Sequence, residues 1–231
     1  VYKGTEDREY EKYGYVVPEE KISAQFINKL TFDNTVKITV GINKQFDNLR
    51  TALESITDAS ENKQYEVYID EGEYDILSYY TLDEYTDSSF IGLQKPHHVS
   101  LIGVGDKHKV ILKGFMPADS DAATISRVST LVTKGTGRLE NLTITAENLR
   151  YAVHDDYRDG GTELKRVVKD CIFIKKGIGY QQAYGSGVYA GHKHYFENCE
   201  FYTNKAYAYS AHNNKNFSMP ASIKLVGCKI M

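Results

Sequence analysis

Four short segments of this chain superimpose without gaps: LENLTI (139–144), VKDCIF (168–173), FENCEF (196–201) and LVGCKI (225–230). Asn141, Asp170, Asn198 and Gly227 share one column, spaced 29, 28 and 29 residues apart. Leu142, Cys171, Cys199 and Cys228 share the next. A fixed period of roughly 20–50 residues marks a solenoid. No copy is large enough to bury its apolar side alone, whereas strands stacked about 4.8 Å apart make a continuous core. The fold expected is therefore all-β, a single-stranded right-handed parallel β-helix, with each copy read as one strand in which a polar turn residue precedes a buried small one. Its three cysteines form an internal ladder. Without CxxC spacing and with thiols directed inward, they are read as small buried hydrophobes and not as metal ligands or nucleophiles. Reduced thiols match synthesis in a reducing cytoplasm.

The region before the repeat reads as mixed. PEEKISAQFINKL (18–30) sets Ile22, Phe26, Ile27 and Leu30 near one helical face. Residues 1–35 are expected to form a helical linker or attachment segment, and 36–231 the β-helix domain. KITVGI (37–42) alternates as a strand, and Gln45 to Ile56 carries Leu49, Ala52, Leu53 and Ile56 at helical spacing after an Asp47 cap, a short capping helix. YEVYID and EYDIL (65–70, 73–77) bracket a turn at Glu71-Gly72, and VSLIGVG and KVILKG (99–105, 109–114) read as further strands. Residues 78–98 and 115–130 read as polar insertions. The chain starts at Val1 and runs strand-like to Met231, which reads as a fragment or processed product lacking its C-terminal part.

Charge narrows the partners. With 28 Lys plus Arg against 31 Asp plus Glu, the net charge of −3 supplies no drive toward nucleic acid or anionic membrane. No run approaches the ~20 apolar residues of a membrane span. The 19 tyrosines, with no Trp and only 4 Pro, favour strands and amphipathic ring surfaces.

A second polar column follows the first by 13 or 14 residues in two copies: YAVHDD (151–156) and YSAHNN (209–214). His154 and His212 are thus expected two coils apart, on the order of 10 Å, with GVYAGHKH (187–194) between them. His154 with Asp155 and Asp156, and His212, are the candidate catalytic residues, since an imidazole beside a carboxylate can be held ready to abstract a proton. The same residues at a coil corner can instead satisfy turn backbone. Asp155, Asp156 and Asp159 offer oxygen ligands for calcium, but three carboxylates in one short loop do not define a site, and neither metal nor cofactor is expected. Tyr151, Tyr157, Tyr189, His192, Tyr209 and Asn213 are the candidate ligand-binding residues, rings for sugar faces and polar groups for hydroxyls.

Taken together, FDNLRTALESI, YEVYIDEGEY, VSLIGVGDKHKVIL and GRLENLTI resemble the entry region of the pectin lyase-like superfamily, from about residue 36 to the end. Within it, ENLTITAENLRYAVHDD is similar to β-helix proteins of tailed bacteriophages and prophages of Gram-positive bacteria, which are tail, neck-appendage or fibre components. The resemblance implies a virion protein that binds host cell-wall polysaccharide or teichoic acid, contacts other virion proteins and forms a homotrimer. The superfamily's enzyme motifs do not carry over: there is no QDT, DFIFG or GRPW, no RxPxxR and no NTDG, and AGHKH (190–194) only echoes a GHG. Fold does not fix function. A polysaccharide lyase, hydrolase or esterase and a purely structural virion spacer stand as the alternatives.

Overall fold

A computed structural model describes residues 35–81, 84, 91–155, 165–178, 182–188, 192–204, 207–213 and 222–231. Its strands run β1 (Val36–Val40), β2 (Tyr65–Ile69), β3 (Gly72–Asp75), β4 (Ile91–Lys95), β5 (Val99–Gly103), β6 (Val110–Phe115), β7 (Val128–Thr133), β8 (Gly137–Glu140) and β9 (Thr143–Glu147). They continue as β10 (Tyr151–Asp155), β11 (Lys165–Lys169), β12 (Ile172–Lys176), β13 (Gln182–Val188), β14 (Lys193–Glu197), β15 (Glu200–Thr203), β16 (Tyr207–Asn213), β17 (Ser222–Val226) and β18 (Lys229–Ile230). The first sheet stacks β1-β2-β5-β8-β11-β14-β17, the second β3-β6-β9-β12-β15-β18 and the third β4-β7-β10-β13-β16. From β2 onward the chain visits first, second and third sheet in turn, and the neighbours within each sheet are parallel, as in the pairing of β11 with β14. This is the right-handed parallel β-helix that the repeat predicts.

The repeated segments prove to be corners and not single strands. Each spans the end of a first-sheet strand and the start of a second-sheet strand, and its polar residue makes the turn between them. Asn141, Asp170 and Asn198 have φ of 57°, 53° and 52°, and Gly227 has 61°. Left-handed backbone is costly for most side chains and tolerated by Asn, Asp and Gly, so the column holds these residue types. Asn141 also ties coil to coil, its Nδ2 donating to the carbonyls of Gly103 and Gly105, both at 2.9 Å.

Every coil adds one residue to each interior column. In the first sheet the column runs Ile38, Val67, Leu101, Leu139, Val168, Phe196. In the second it runs Tyr74, Leu112, Ile144, Phe173, Phe201, and in the third Leu93, Leu131, Val153, Tyr184, Tyr209. The later coils fill their cross-section with rings: Phe173 stacks on Phe201 at 5.1 Å, and Tyr184 sets its edge against Phe196 at 5.1 Å and Phe173 at 5.5 Å. Each such side chain contributes about 1.5–3 kcal/mol by leaving water. Cys171 and Cys199 are buried in this core as free thiols, and burial raises the Cys171 thiol to about 12.

Three local readings change. The helix α1 (Leu49–Glu54) is capped by Asn48 and not Asp47, since the Asn48 side chain accepts from the amides of Arg50 and Thr51 at 2.8 and 3.2 Å. α1 turns Leu49, Ala52 and Leu53 into the core. The stretch 78–98 contains β4, and 115–130 contains the short helix α2 (Ala122–Ile125) and the start of β7. β4 and β7 are third-sheet strands, and their interior positions include polar residues that hide the alternation. The helix read at 18–30 lies outside the described residues.

Candidate functional site

Within β10, Val153 belongs to the interior column, and residues two apart on a strand share a face. Asp155 therefore points inward, while His154 points the other way. The pair read as base and orienting carboxylate is split between two faces. Asp155 is 1% exposed and lies in register with Thr133 below and Ser186 above, in a column that begins at Lys95. Across the corner, the adjoining first-sheet column supplies Gly137, Arg166 and His194.

These residues form a buried polar cluster. Arg166 Nε donates to Asp155 at 2.6 Å, with side-chain exposures of 4% and 1%. The Tyr184 hydroxyl donates to Asp155 Oδ2 at 3.0 Å. His194 Nδ1 stands 3.8 Å from the same oxygen and 3.5 Å from Ser186 Oγ. Burial pushes the Asp155 carboxyl up, but the Arg166 guanidinium, His194 and the Tyr184 hydrogen bond together hold the group below the usual carboxylate range. Burial lowers His194 to about 4, so its imidazole is neutral at neutral pH. Burial also raises the Tyr184 phenol well above its ordinary value. Lys95 Nζ donates to the carbonyls of Val99, Thr136 and Pro96 at 2.8, 2.9 and 3.0 Å, with Lys134 O at 3.4 Å. Burial, then the nearby Arg166 charge, depresses its ammonium to about 7.

Of the candidates on the outer face, His154 is 5% exposed and its ring lies 5.4 Å from that of Tyr151. Room for the Tyr151 ring comes from Gly185 on the next coil, where a Cβ would meet it at 2.8 Å. Tyr151 is buried as well. Tyr209 faces inward, 5.7 Å from Tyr184 in a stacked pair, while Tyr207 on the same strand is 68% exposed. His192 is buried, its ring 6.3 Å from His194. The register sets Ser210, not His212, two coils from His154. His212 lies two residues further along β16, about 12 Å from His154 between backbone positions. Asp156, Tyr157, Asp159 and Tyr189 lie outside the described residues, as do the side chains of His212 and Asn213. Among the described residues no group of three or more His, Cys, Asp or Glu is placed to hold a metal.

Chemically, the interior cluster can hold charge and orient groups, but its carboxylate is sealed from a polymer outside. Sequence reading missed Lys95, Arg166, Tyr184, Ser186 and His194. Strand parity is the signal for them: in YAVHD and KRVVK, Asp155 and Arg166 each stand two residues from an interior valine, Val153 and Val168.

No family model matches the chain, and no curated protein matches it. Among solved structures, the chain is similar to the pectin methylesterase PemA from Erwinia chrysanthemi, with 13% identity and a TM-score of 0.38, over 74% of this chain and 54% of that one. It is similar to the deglycosylated pectin methylesterase from Aspergillus niger, with 12% identity and a TM-score of 0.45, over 87% of this chain and 68% of that one. The chain spans about half the length of the Erwinia protein.

Proposed function

We propose that this chain belongs to a virion appendage of a phage of Gram-positive bacteria, and that its β-helix holds host cell-wall glycan or teichoic acid without cleaving it. The virion setting draws its support from the resemblance carried by ENLTITAENLRYAVHDD. The observation that carries the non-cleaving half is the position of Asp155. Its carboxylate is directed into the solenoid and bonded by Arg166 and Tyr184, out of reach of a polymer along the outside. Glycoside hydrolysis by paired carboxylates needs both groups flanking the scissile bond, about 5–10 Å apart. The polymer would lie along the third sheet, where Tyr207 of β16 is exposed, and Tyr157 and Tyr189, which follow β10 and β13 in the sequence, and Asn213, which ends β16, are the further contacts to test. Loops on a rigid scaffold are favoured positions for binding.

The test is co-sedimentation of the protein with purified Gram-positive cell walls, with the supernatant assayed for reducing ends, unsaturated uronides and released ester groups. Retention on the walls, weakened by Tyr207→Ala and Tyr157→Ala and accompanied by no product, is the expected result. Product release that disappears in His154→Ala establishes an enzyme and overturns the proposal. Failure to sediment at all assigns a spacer role and overturns it equally.

A further inference from the structure

We propose that the interior corner between the third and first sheets binds one small monovalent anion of chloride size, held by the Arg166 guanidinium and the Thr133 hydroxyl. A water-sized cavity opens there, lined by Lys95, Thr133, Gly137, Arg166 and Tyr184 among others. Gly137 makes the space: it is the residue below Arg166 in the first-sheet column, and a Cβ on it would fall 2.0 Å from Val99 O and 3.0 Å from Lys95 Nζ.

The cavity is rich in donors and poor in acceptors. Arg166 spends Nε on Asp155, while Nη1 and Nη2 are buried without a protein partner, as is the Thr133 hydroxyl. A guanidinium carries four N–H bonds on those two nitrogens. The nearby carbonyls of Val99, Thr136 and Pro96 already accept from Lys95. Burying donors unpaired costs free energy, more so on a charged group. Charge points the same way. The Asp155 carboxylate is already bonded by Arg166, while the Lys95 ammonium, which burial depresses to about 7, donates to backbone carbonyls. A water molecule would accept at most two of the donors, whereas a halide accepts from several at once and favours the charged form of Lys95.

The full chain is melted in sodium chloride, sodium bromide and sodium gluconate at constant ionic strength. Gluconate is too large for the cavity and serves as the control. The expected result is a saturable rise in Tm with chloride and bromide, about 3–6 °C at ten times the half-saturating concentration, and none with gluconate. Thr133→Val, which leaves the ion pair intact, raises the half-saturating concentration by about threefold or more. The double variant Asp155→Leu with Arg166→Met replaces the buried pair with apolar groups, so it keeps a core and loses the halide response. A crystal soaked in bromide gives an anomalous peak within hydrogen-bonding distance of Arg166 Nη1 or Nη2. Equal melting in chloride and gluconate, a halide response that survives in the double variant, or a water without anomalous signal at that position overturns the proposal.

Discussion

Replacing Arg166 by Met separates the reading of Asp155 as a buried, paired carboxylate from the reading of it as a surface acid. Met fills much of the aliphatic volume of Arg but leaves Asp155, 1% exposed, with only the Tyr184 hydroxyl as a donor. Removing one member of a buried pair costs about 3–5 kcal/mol, because the remaining charge stays desolvated. At roughly 2–4 °C per kcal/mol for a chain of this size, Tm falls by about 6–20 °C. The pH dependence carries the sharper signature. In the parent, the folded Asp155 carboxyl lies below its unfolded value of about 3.9, so the pair's contribution is fully present above that pH and is lost as pH falls through the folded value. Without Arg166, burial is the largest influence left, opposed by His194 and the Tyr184 hydroxyl, and the folded carboxyl is expected to rise above the unfolded one. The variant therefore recovers part of its deficit as pH is lowered from 7 toward 5, while the parent gains nothing from this group. Urea unfolding followed by circular dichroism at pH 5, 6 and 7 reads both effects. A deficit below about 1 kcal/mol at pH 7, or one that stays constant across this range, refutes the interior placement of Asp155.

Lys95 has the opposite sign from an ordinary ion-paired lysine: its folded ammonium is depressed to about 7 against about 10.4 unfolded, so folding releases a proton between those values and stability rises with pH. Unfolding titrations from pH 7 to 9 should show a slope approaching about 1.4 kcal/mol per pH unit from this group, absent in Lys95→Met. At the left-handed corners, Asn198→Ala is expected to cost about 1–2 kcal/mol in urea unfolding and Asn198→Gly much less, since φ is 52° there. Gly103→Ala sets a Cβ 2.0 Å from Asn141 O, a backbone atom of the next coil, and should lower Tm more than any single Asn198 change. Native protein treated with a thiol reagent should leave Cys171 and Cys199 unlabelled until denaturant is added, as read by mass spectrometry of the peptides.

The solenoid was legible because the Asn141, Asp170, Asn198 and Gly227 column recurs at one period, and that period survives whatever the loops do. The corner was less legible. In ENLTI or KDCIF the apolar residues on both sides of the polar one read as one strand, although Asn, Asp and Gly in a single column is itself the mark of left-handed backbone. The third sheet was least legible. Its inner column of Lys95, Thr133, Asp155 and Ser186 is polar, so the alternation that reveals a strand elsewhere is absent from β4 and blurred in β10. His154 stood out because it is adjacent to Asp155 in the sequence, but adjacency on a strand separates two side chains to opposite faces. The residues that do meet Asp155 are 11, 29 and 39 positions away, at Arg166, Tyr184 and His194, and only the register between coils brings them together.

The location of the ion pair gives it a role that stability alone does not explain. Asp155 ends β10 and Arg166 is the second residue of β11, so the 2.6 Å contact joins the two strands that segment 156–164 connects in the sequence. Lys95 does the same two turns earlier at the same corner, where it ends β4 and donates to Val99 O at the start of β5. In both coils a buried cation closes the passage from third sheet to first from the inside. Closing a loop between fixed ends costs only about 0.6 kcal/mol for each doubling of its length. A corner clamped in this way holds β10 and β11 in the stack largely independently of the length and sequence of the residues that join them, and it accounts for a charged pair where Val or Leu would pack at lower desolvation cost.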